Sequence, residues 1–265
     1  MGGIGMVSGT GRKSGRVRRG RLVLLGAAAL LAALWVGRRP ILVGVGHALV
    51  AEDALGPADL LVVSNAATRA DALEAARLYD QKISARIAIA EWYVDPVSAE
   101  IHCLGIPLLD PTDLARAILE RSGVPAAAIL VMPGRAEGTE DEVAATVAYV
   151  RANASVRSVL FLAPRTHTAR VRWLLRRRLP PAVRVAVRSG PYDTFSPDDW
   201  WHSRDASREV MSELLRWVNS GLLGDAWGAS PTRREPVHCS CCPDAASPSP
   251  AAPSPMSLQE GGARD

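Results

Sequence analysis

An imidazole and two guanidinium groups lie close together in the segment FLAPRTHTAR, residues 161–170. His167 and Arg170 are three residues apart, so a helix would place both on one face, and Arg165 comes just before them. Arginine binds phosphate and carboxylate groups through paired hydrogen bonds. Histidine can donate a proton or act as a general acid or base near neutral pH. The segment therefore predicts a site for an anionic group, with His167 available for proton transfer.

Further polar residues follow the other apolar runs of the chain. Arg69 comes shortly after one run, and the segment GTEDE, residues 138–142, follows another. Thr139 can add a hydroxyl to an anion site, and Asp141 is an acid that can orient His167. The predicted catalytic residues are His167 and Asp141, and the predicted ligand-binding residues are Arg69, Thr139, Arg165 and Arg170.

Each of these residues also has an ordinary structural interpretation. Thr139 as an N-cap and Glu142 three residues later have the spacing of a capping box. Arg69 can pair with Asp71, and a single histidine is often satisfied by its structural neighbours. The hypothesis of a site depends on convergence, because several such groups are predicted to reach the same edge of one sheet.

The sequence lacks the motifs of several common enzyme classes. It contains no G-x-S-x-G elbow, no Walker loop and no G-x-G-x-x-G, so it does not indicate a serine hydrolase, a P-loop enzyme or a standard dinucleotide fold. The cluster HCSCC at 238–242 could bind a soft metal ion, but its Pro/Ser/Ala surroundings offer no fold to hold it. No metal site is predicted, and the sequence identifies no cofactor.

Apolar runs alternate with amphipathic segments after residue 57. The predicted strands are 59–64, 86–91, 127–132, 157–163 and 183–188, and the predicted helices are 68–81, a short helix within 92–110, 111–123, 138–153, 166–179 and 203–224. This alternation predicts an α/β, Rossmann-like, doubly wound parallel sheet of about five strands. Ligands of such sheets bind beyond the carboxyl ends of the strands, which is where the candidate residues follow their strands.

The first forty residues predict one transmembrane helix before this domain. Residues 22–37 carry no charge, and Arg21, Arg38 and Arg39 flank them. A membrane span needs about 20 apolar residues, and flanking arginines can extend a shorter run by snorkelling. The basic excess before the run places the N-terminus in the cytoplasm and the main domain outside. A cleaved signal peptide is the alternative.

The charge is uneven along the chain, although the net charge is only +4. Basic residues concentrate before residue 22 and between 165 and 178, and no nucleic-acid-binding motif accompanies them, so no nucleic-acid partner is predicted. The predicted organisation is a disordered basic N-terminus at 1–20, a transmembrane anchor at 21–39, a connector at 40–56, an α/β domain at 57–225 and a disordered Pro/Ser/Ala-rich tail at 226–265.

The order of these motifs resembles the YdcF-like domain family, which includes SanA- and ElyC-type envelope proteins. The matching segments are LLVVSNAATRADALEAARLY at 60–79, GVP at 123–125, GTEDE at 138–142 and APRTHTAR at 163–170. The resemblance spans roughly residues 57 to 220. It implies a Rossmann-like fold, a membrane anchor and a role in the bacterial cell envelope. The residues of this chain that match the motif positions of the family are Arg69, Thr139, Asp141, His167 and Arg170.

We therefore expect a single-pass membrane protein whose extracytoplasmic domain binds an anionic, phosphate- or nucleotide-like ligand or a lipid-linked envelope precursor. The alternative is a non-catalytic envelope binding or barrier factor, because residues 64–66, 91–93 and 163–164 replace small residues and hydroxyls that the family carries there. A cytoplasmic-facing transferase with a nucleotide cofactor would require an inverted anchor. The sequence indicates neither a substrate nor a reaction.

Overall fold

The computed structural model of the chain describes residues 14–223. Of these, residues 14–93 and 111–223 belong to one compact unit, and residues 94–110 belong to a second. The first unit contains a five-stranded parallel sheet in the order β3-β2-β1-β4-β5. The chain winds outward from β1 in one direction and returns to wind outward from β4 in the other, so the predicted doubly wound arrangement is confirmed.

The predicted strands are all present, with ends that differ by a few residues. The strands are β1 (Leu60–Val63), β2 (Ile87–Trp92), β3 (Ile129–Ala136), β4 (Ser158–Leu162) and β5 (Arg184–Arg188). The helices are α1 (Ser14–Ala48), α2 (Thr68–Asp80), α3 (Pro96–Cys103), α4 (Pro111–Arg121), α5 (Thr139–Ala152), α6 (Thr168–Arg178) and α7 (Arg204–Val218). Short apolar runs between turn residues were sufficient to locate the strands because both faces of a parallel sheet are buried.

Two apolar cores lie on opposite faces of the sheet, and β1 contributes to both. Leu60 and Val62 point to the face that α5 and α6 cover, whereas Leu61 and Val63 point to the face that α2 and α4 cover. All four side chains are completely buried. This burial fixes the register of β1, because a shift of one residue would exchange the two faces.

A third apolar cluster attaches α7 to the unit. Val210 of α7 packs with Leu49, Phe195 and Trp200, and all four are buried. Val218, the last residue of α7, does not face the core, since 52% of it is exposed. The inward-facing stripe of α7 contains the carboxylate of Glu213, which forms part of the candidate site.

The predicted membrane anchor, residues 21–39, falls within α1. Among the described residues, no helix combines the length and the apolarity that crossing a membrane requires. The end of α1 packs in the third cluster, where Trp200 Nε1 donates a hydrogen bond of 2.9 Å to the carbonyl of Leu42. The predicted tail at 226–265 and most of the predicted N-terminal segment at 1–20 lie outside the described residues.

The second unit contains α3, the short helix predicted within 92–110. Asp95 is its N-cap and accepts hydrogen bonds from the backbone N–H groups of Val97 and Ser98 at 3.0 and 3.1 Å. Pro96 occupies the first helical position, where the missing N–H is tolerated.

Candidate ligand-binding site

A cavity of about 350 Å³ lies at the carboxyl edge of the sheet, and we call it the His167 cavity. Its walls come from the segments that follow β1 and β4, the end of β2, the start of α5, and α7. This position is where the winding of the sheet reverses, the usual ligand crevice of doubly wound folds. The lining residues are Ala66, Trp92, Glu137, Gly138, Thr139, Glu140, Asp141, Glu142, His167, Arg170, Arg216 and Asn219.

Arg170 of α6 and Glu213 of α7 form a buried ion pair at this cavity. Nε of Arg170 lies 2.5 Å from Oε1 of Glu213, and Nη2 lies 3.2 Å from Oε2. Arg170 is 1% exposed and Glu213 is 0% exposed. A buried charge without its partner is strongly destabilising, so this pair holds α7 against α6. The charge of Arg170 is therefore compensated before any ligand binds.

The imidazole of His167 lies beside this pair. Nη1 of Arg216 lies 3.2 Å from Nε2 of His167, and Oε2 of Glu213 lies 3.5 Å from the same nitrogen. Because a guanidinium can only donate, Nε2 accepts, and the imidazole proton is assigned to Nδ1. Burial lowers the pKa of His167 to about 3, and the positive charges of Arg170 and Arg216 add to this effect. His167 is therefore neutral at pH 7.

The Nδ1 atom of His167 is buried and has no hydrogen-bond partner within the part of the chain that the structure describes. The residue is 7% exposed and lines the cavity. A buried N–H without an acceptor is unfavourable, so an acceptor atom supplied by a ligand would stabilise this arrangement.

Glu142 of α5 reaches the end of β1. Its Oε2 accepts a hydrogen bond of 3.0 Å from Oγ of Ser64, and its Oε1 accepts one of 2.7 Å from the backbone N–H of Asn65. Burial raises the pKa of Glu142 to about 7, although these two hydrogen bonds favour the charged form. The capping-box interpretation is wrong: Gly138 is the N-cap of α5, Thr139 is the first helical residue, and the carboxylate bonds to another element.

The first turn of α5 forms one wall of the cavity. Its N-cap residue is Gly138, so no side chain caps the helix. Asp141 is exposed, and its Oδ2 accepts a hydrogen bond of 3.0 Å from the backbone N–H of Glu137. Glu140 bonds to the hydroxyl of Ser220. These carboxylates complement the helix dipole, and each already has a donor in the chain.

The structure brings together four of the predicted site residues and leaves two apart. Thr139, Asp141, His167 and Arg170 line the His167 cavity. Arg69 is exposed in the first turn of α2, outside this lining. Arg165 lines a different cavity, beside the carboxyl end of β5. The predicted roles of all six remain predictions, but the geometry separates these two arginines from the imidazole.

Sequence reasoning missed Glu213 and Arg216, which complete the site from α7. The carboxylate that lies 3.5 Å from Nε2 of His167 is that of Glu213, whereas Asp141 bonds to its own turn. A signal was present: Glu213 follows Val210 by three residues, so it lies on the inward stripe of an amphipathic helix. An acid on such a stripe requires a buried partner.

The fold and this cavity define the chain as an α/β protein with a doubly wound parallel sheet and a mixed-charge cleft at the carboxyl edge. No protein-family model matches the chain, and a search of curated proteins finds no match.

Proposed function

We propose that the His167 cavity binds an anionic ligand with a phosphate-like group, and that the protein acts in the bacterial cell envelope as a YdcF-like domain protein. The observation that carries the ligand proposal is that His167, whose buried Nδ1 has no hydrogen-bond partner among the described residues, lines a cavity together with Arg216. An N–H donor beside an incompletely buried guanidinium suits an oxyanion.

Arg216 is the guanidinium that remains accessible to a ligand. Its side chain is 50% exposed, whereas that of Arg170 is 1% exposed and bonded to Glu213. The first turn of α5 contains three acidic residues, which already complement the positive end of its dipole. The anion is therefore bound by Arg216 and the Nδ1–H of His167, and Arg170 acts by positioning Glu213.

The carboxylates of the α5 turn restrict the ligand further. Glu137, Glu140 and Asp141 line the same cavity, so the cavity is not uniformly basic. Carboxylates accept hydrogen bonds from hydroxyl groups. A ligand that carries hydroxyls as well as a phosphate, such as a sugar phosphate or a nucleotide, fits this mixed lining better than a bare polyanion.

The electrostatics of His167 favour a second candidate, a binding factor without catalysis. A general acid or base works best with a pKa near the working pH, and the pKa of His167 is lowered to about 3. His167 therefore serves as a hydrogen-bond donor. Glu142, whose pKa is raised to about 7, is the group suited to proton transfer if a reaction occurs. Turnover that Glu142→Gln abolishes would establish an enzyme, and binding without turnover would establish the binding factor.

Ligand binding can be tested by thermal shift of the full-length protein with inorganic phosphate, a nucleoside diphosphate, a sugar phosphate and a polyprenyl phosphate. We expect Arg216→Ala to weaken binding about tenfold. Arg208→Ala is a matched control, because Arg208 also lies on α7 and pairs with an acid three residues before it, at an exposed position. Equal affinity in both variants would refute this site.

Residues 21–39 are proposed to anchor the domain on the outer side of the membrane. The support is the uncharged run at 22–37, its flanking arginines and the exposed apolar side chains of α1, including Leu24, Trp35 and Val36. Alkaline phosphatase fused to the C-terminus should be active in cells. Activity of a cytoplasmic reporter alone would contradict this topology.

A further inference from the structure

A second cavity, of about 440 Å³, lies beside the carboxyl end of β5, and we call it the Arg188 cavity. Arg188 is the last residue of β5, and Arg165 follows β4. Arg77 of α2 also lines this cavity, together with Glu52, Glu74 and Asp193. The cavity shares none of its lining residues with the His167 cavity.

The three guanidinium groups of this cavity differ in how they are satisfied. Nε and Nη2 of Arg77 donate to Glu74 at 2.8 and 2.6 Å. Nη1 of Arg165 donates to the carbonyl of Phe195 at 3.1 Å, and its Nε is buried without a hydrogen bond, although it lies 3.7 Å from Oε1 of Glu52 in an ion pair. The Nε of Arg188 is also buried without a hydrogen bond, and no ion pair of this residue is found among the described residues.

A third unsatisfied group lies close to Gly190 of this cavity. Asp71 of α2 is 2% exposed, and its Oδ2 has no hydrogen-bond partner within the described part of the chain. A Cβ atom added to Gly190, which lines the cavity, would be 3.7 Å from Oδ1 of Asp71. Burial raises the pKa of Asp71 to about 8, and the carboxylates of Asp193, Glu142 and Glu74 add to the effect. Asp71 is therefore a neutral acid at pH 7 and can donate.

The carboxylates that line the cavity already have donors. Glu52 accepts hydrogen bonds from Oγ of Ser189 at 2.5 Å and from its backbone N–H at 3.3 Å. Oδ2 and Oδ1 of Asp193 accept backbone hydrogen bonds from Arg165 and Phe195 at 2.7 and 2.8 Å. Because the acceptors are engaged and buried donors are left over, the missing group is an acceptor.

From this imbalance we propose that the Arg188 cavity is a second binding site, which takes a compact oxyanion, a carboxylate or a phosphate group, on Arg188 and Nε of Arg165. Guanidinium groups recognise both anions through N–H···O hydrogen bonds. The lining carboxylates limit the negative charge that the cavity can accept, so the site takes a single small anionic group. This site does not depend on the function proposed for the His167 cavity.

The test is a calorimetric titration of the full-length protein with inorganic phosphate and, separately, with acetate. Saturable binding that Arg188→Gln weakens about tenfold would support the site. The matched control is Arg184→Gln on the same strand, because Arg184 is exposed and outside the lining, and it should bind as the parent does. The anion that binds identifies whether the ligand group is a phosphate or a carboxylate.

Cross-variants distinguish the two cavities. Arg216→Ala should leave the Arg188 cavity intact, and Arg188→Gln should leave the His167 cavity intact. If Arg188→Gln does not fold, Arg165→Gln and the charge-conserving Arg188→Lys take its place, and the lysine variant should bind with intermediate affinity. Absence of saturable binding of either anion, or equal binding by parent, Arg188 and Arg165 variants, would overturn the proposal.

Discussion

The two cavities at the carboxyl edge of the sheet differ in how their buried charges are compensated. In the His167 cavity, Arg170 and Glu213 compensate each other, and among the described lining residues only the neutral imidazole retains a buried atom without a hydrogen bond. In the described part of the chain, Arg188 of the Arg188 cavity has no ion pair, and the nearby Asp71 has an oxygen without a hydrogen-bond partner. The first cavity is therefore organised before a ligand arrives, whereas the second leaves donors for a ligand to satisfy.

This difference separates arginines that maintain the fold from arginines that are available for binding. Arg170 lies on the motif that first indicated an anion site, yet it is the largest of the fully buried side chains among the described residues and bonds to α7. Arg188 ends an edge strand that carries no recognisable motif. Whether an arginine near a predicted crevice can bind a ligand thus depends more on the partner of its guanidinium than on its position.

The largest expected effect tests whether the pair in the His167 cavity is structural. Glu213→Gln removes the charge opposite Arg170 without changing the shape of the side chain much. We expect the free energy of unfolding to fall by about 3–5 kcal/mol, because a buried guanidinium loses its counter-charge. Urea denaturation followed by circular dichroism measures this change.

The control for this variant lies on the same helix. Asp205 is 92% exposed and pairs with Arg208 three residues later, as Glu213 does with Arg216. Asp205→Asn should change the free energy of unfolding by no more than about 0.5 kcal/mol. Similar losses in the two variants would mean that the buried pair contributes no more than a surface pair.

The second prediction compares the protonation of the two cavities. The pKa of Asp71 is raised to about 8 and that of Glu142 to about 7, so the folded chain retains protons that the unfolded chain has already lost. Stability is therefore present at lower pH and is lost as the pH rises through these values. We expect the free energy of unfolding to fall by about 2 kcal/mol between pH 6.5 and 8.

Variants assign this pH dependence to one cavity or the other. Asp71→Asn should remove the larger part of the loss, and Glu142→Gln the smaller part. Asp71 has the higher pKa and therefore retains its proton over more of this pH range. Below about pH 6.5 the unfolded chain protonates His167 while the folded chain does not, since the folded pKa is about 3, so His167 offsets part of the stability that the two acids contribute as the pH falls. A loss that is unchanged in Asp71→Asn would place the titrating group elsewhere.

The sequence was sufficient for the sheet but not for the partners of the charged side chains. Apolar runs located all five strands, because burial on both faces leaves a local pattern in the chain. The pairing of Arg170 with Glu213 spans 43 residues and depends on where α7 packs. No local sequence pattern indicates this contact, so the sequence alone predicts that Arg170 is free to bind a ligand.

The start of α5 shows the same limit at shorter range. The spacing of Thr139 and Glu142 fits a capping box, and only the position of β1 beside α5 explains why the carboxylate bonds to Ser64 and Asn65 instead. Likewise, Arg165 and His167 are two residues apart but line different cavities, because the turn after β4 directs them to opposite sides.

The smallest expected effect concerns the donors that distinguish Glu142 from Asp71. Ser64→Ala removes the hydroxyl that donates to Oε2 of Glu142, so Glu142 should behave more like Asp71 and its pKa should rise further. We expect a loss of about 1 kcal/mol in the free energy of unfolding at pH 8, where the carboxylate is charged, and a smaller loss at pH 5.5, where it is protonated. Ser98→Ala is the matched control, since Ser98 donates to an exposed carboxylate, that of Asp95, at 2.6 Å. Equal losses at the two pH values would show that the Ser64 hydroxyl stabilises the turn after β1 rather than the charge of Glu142.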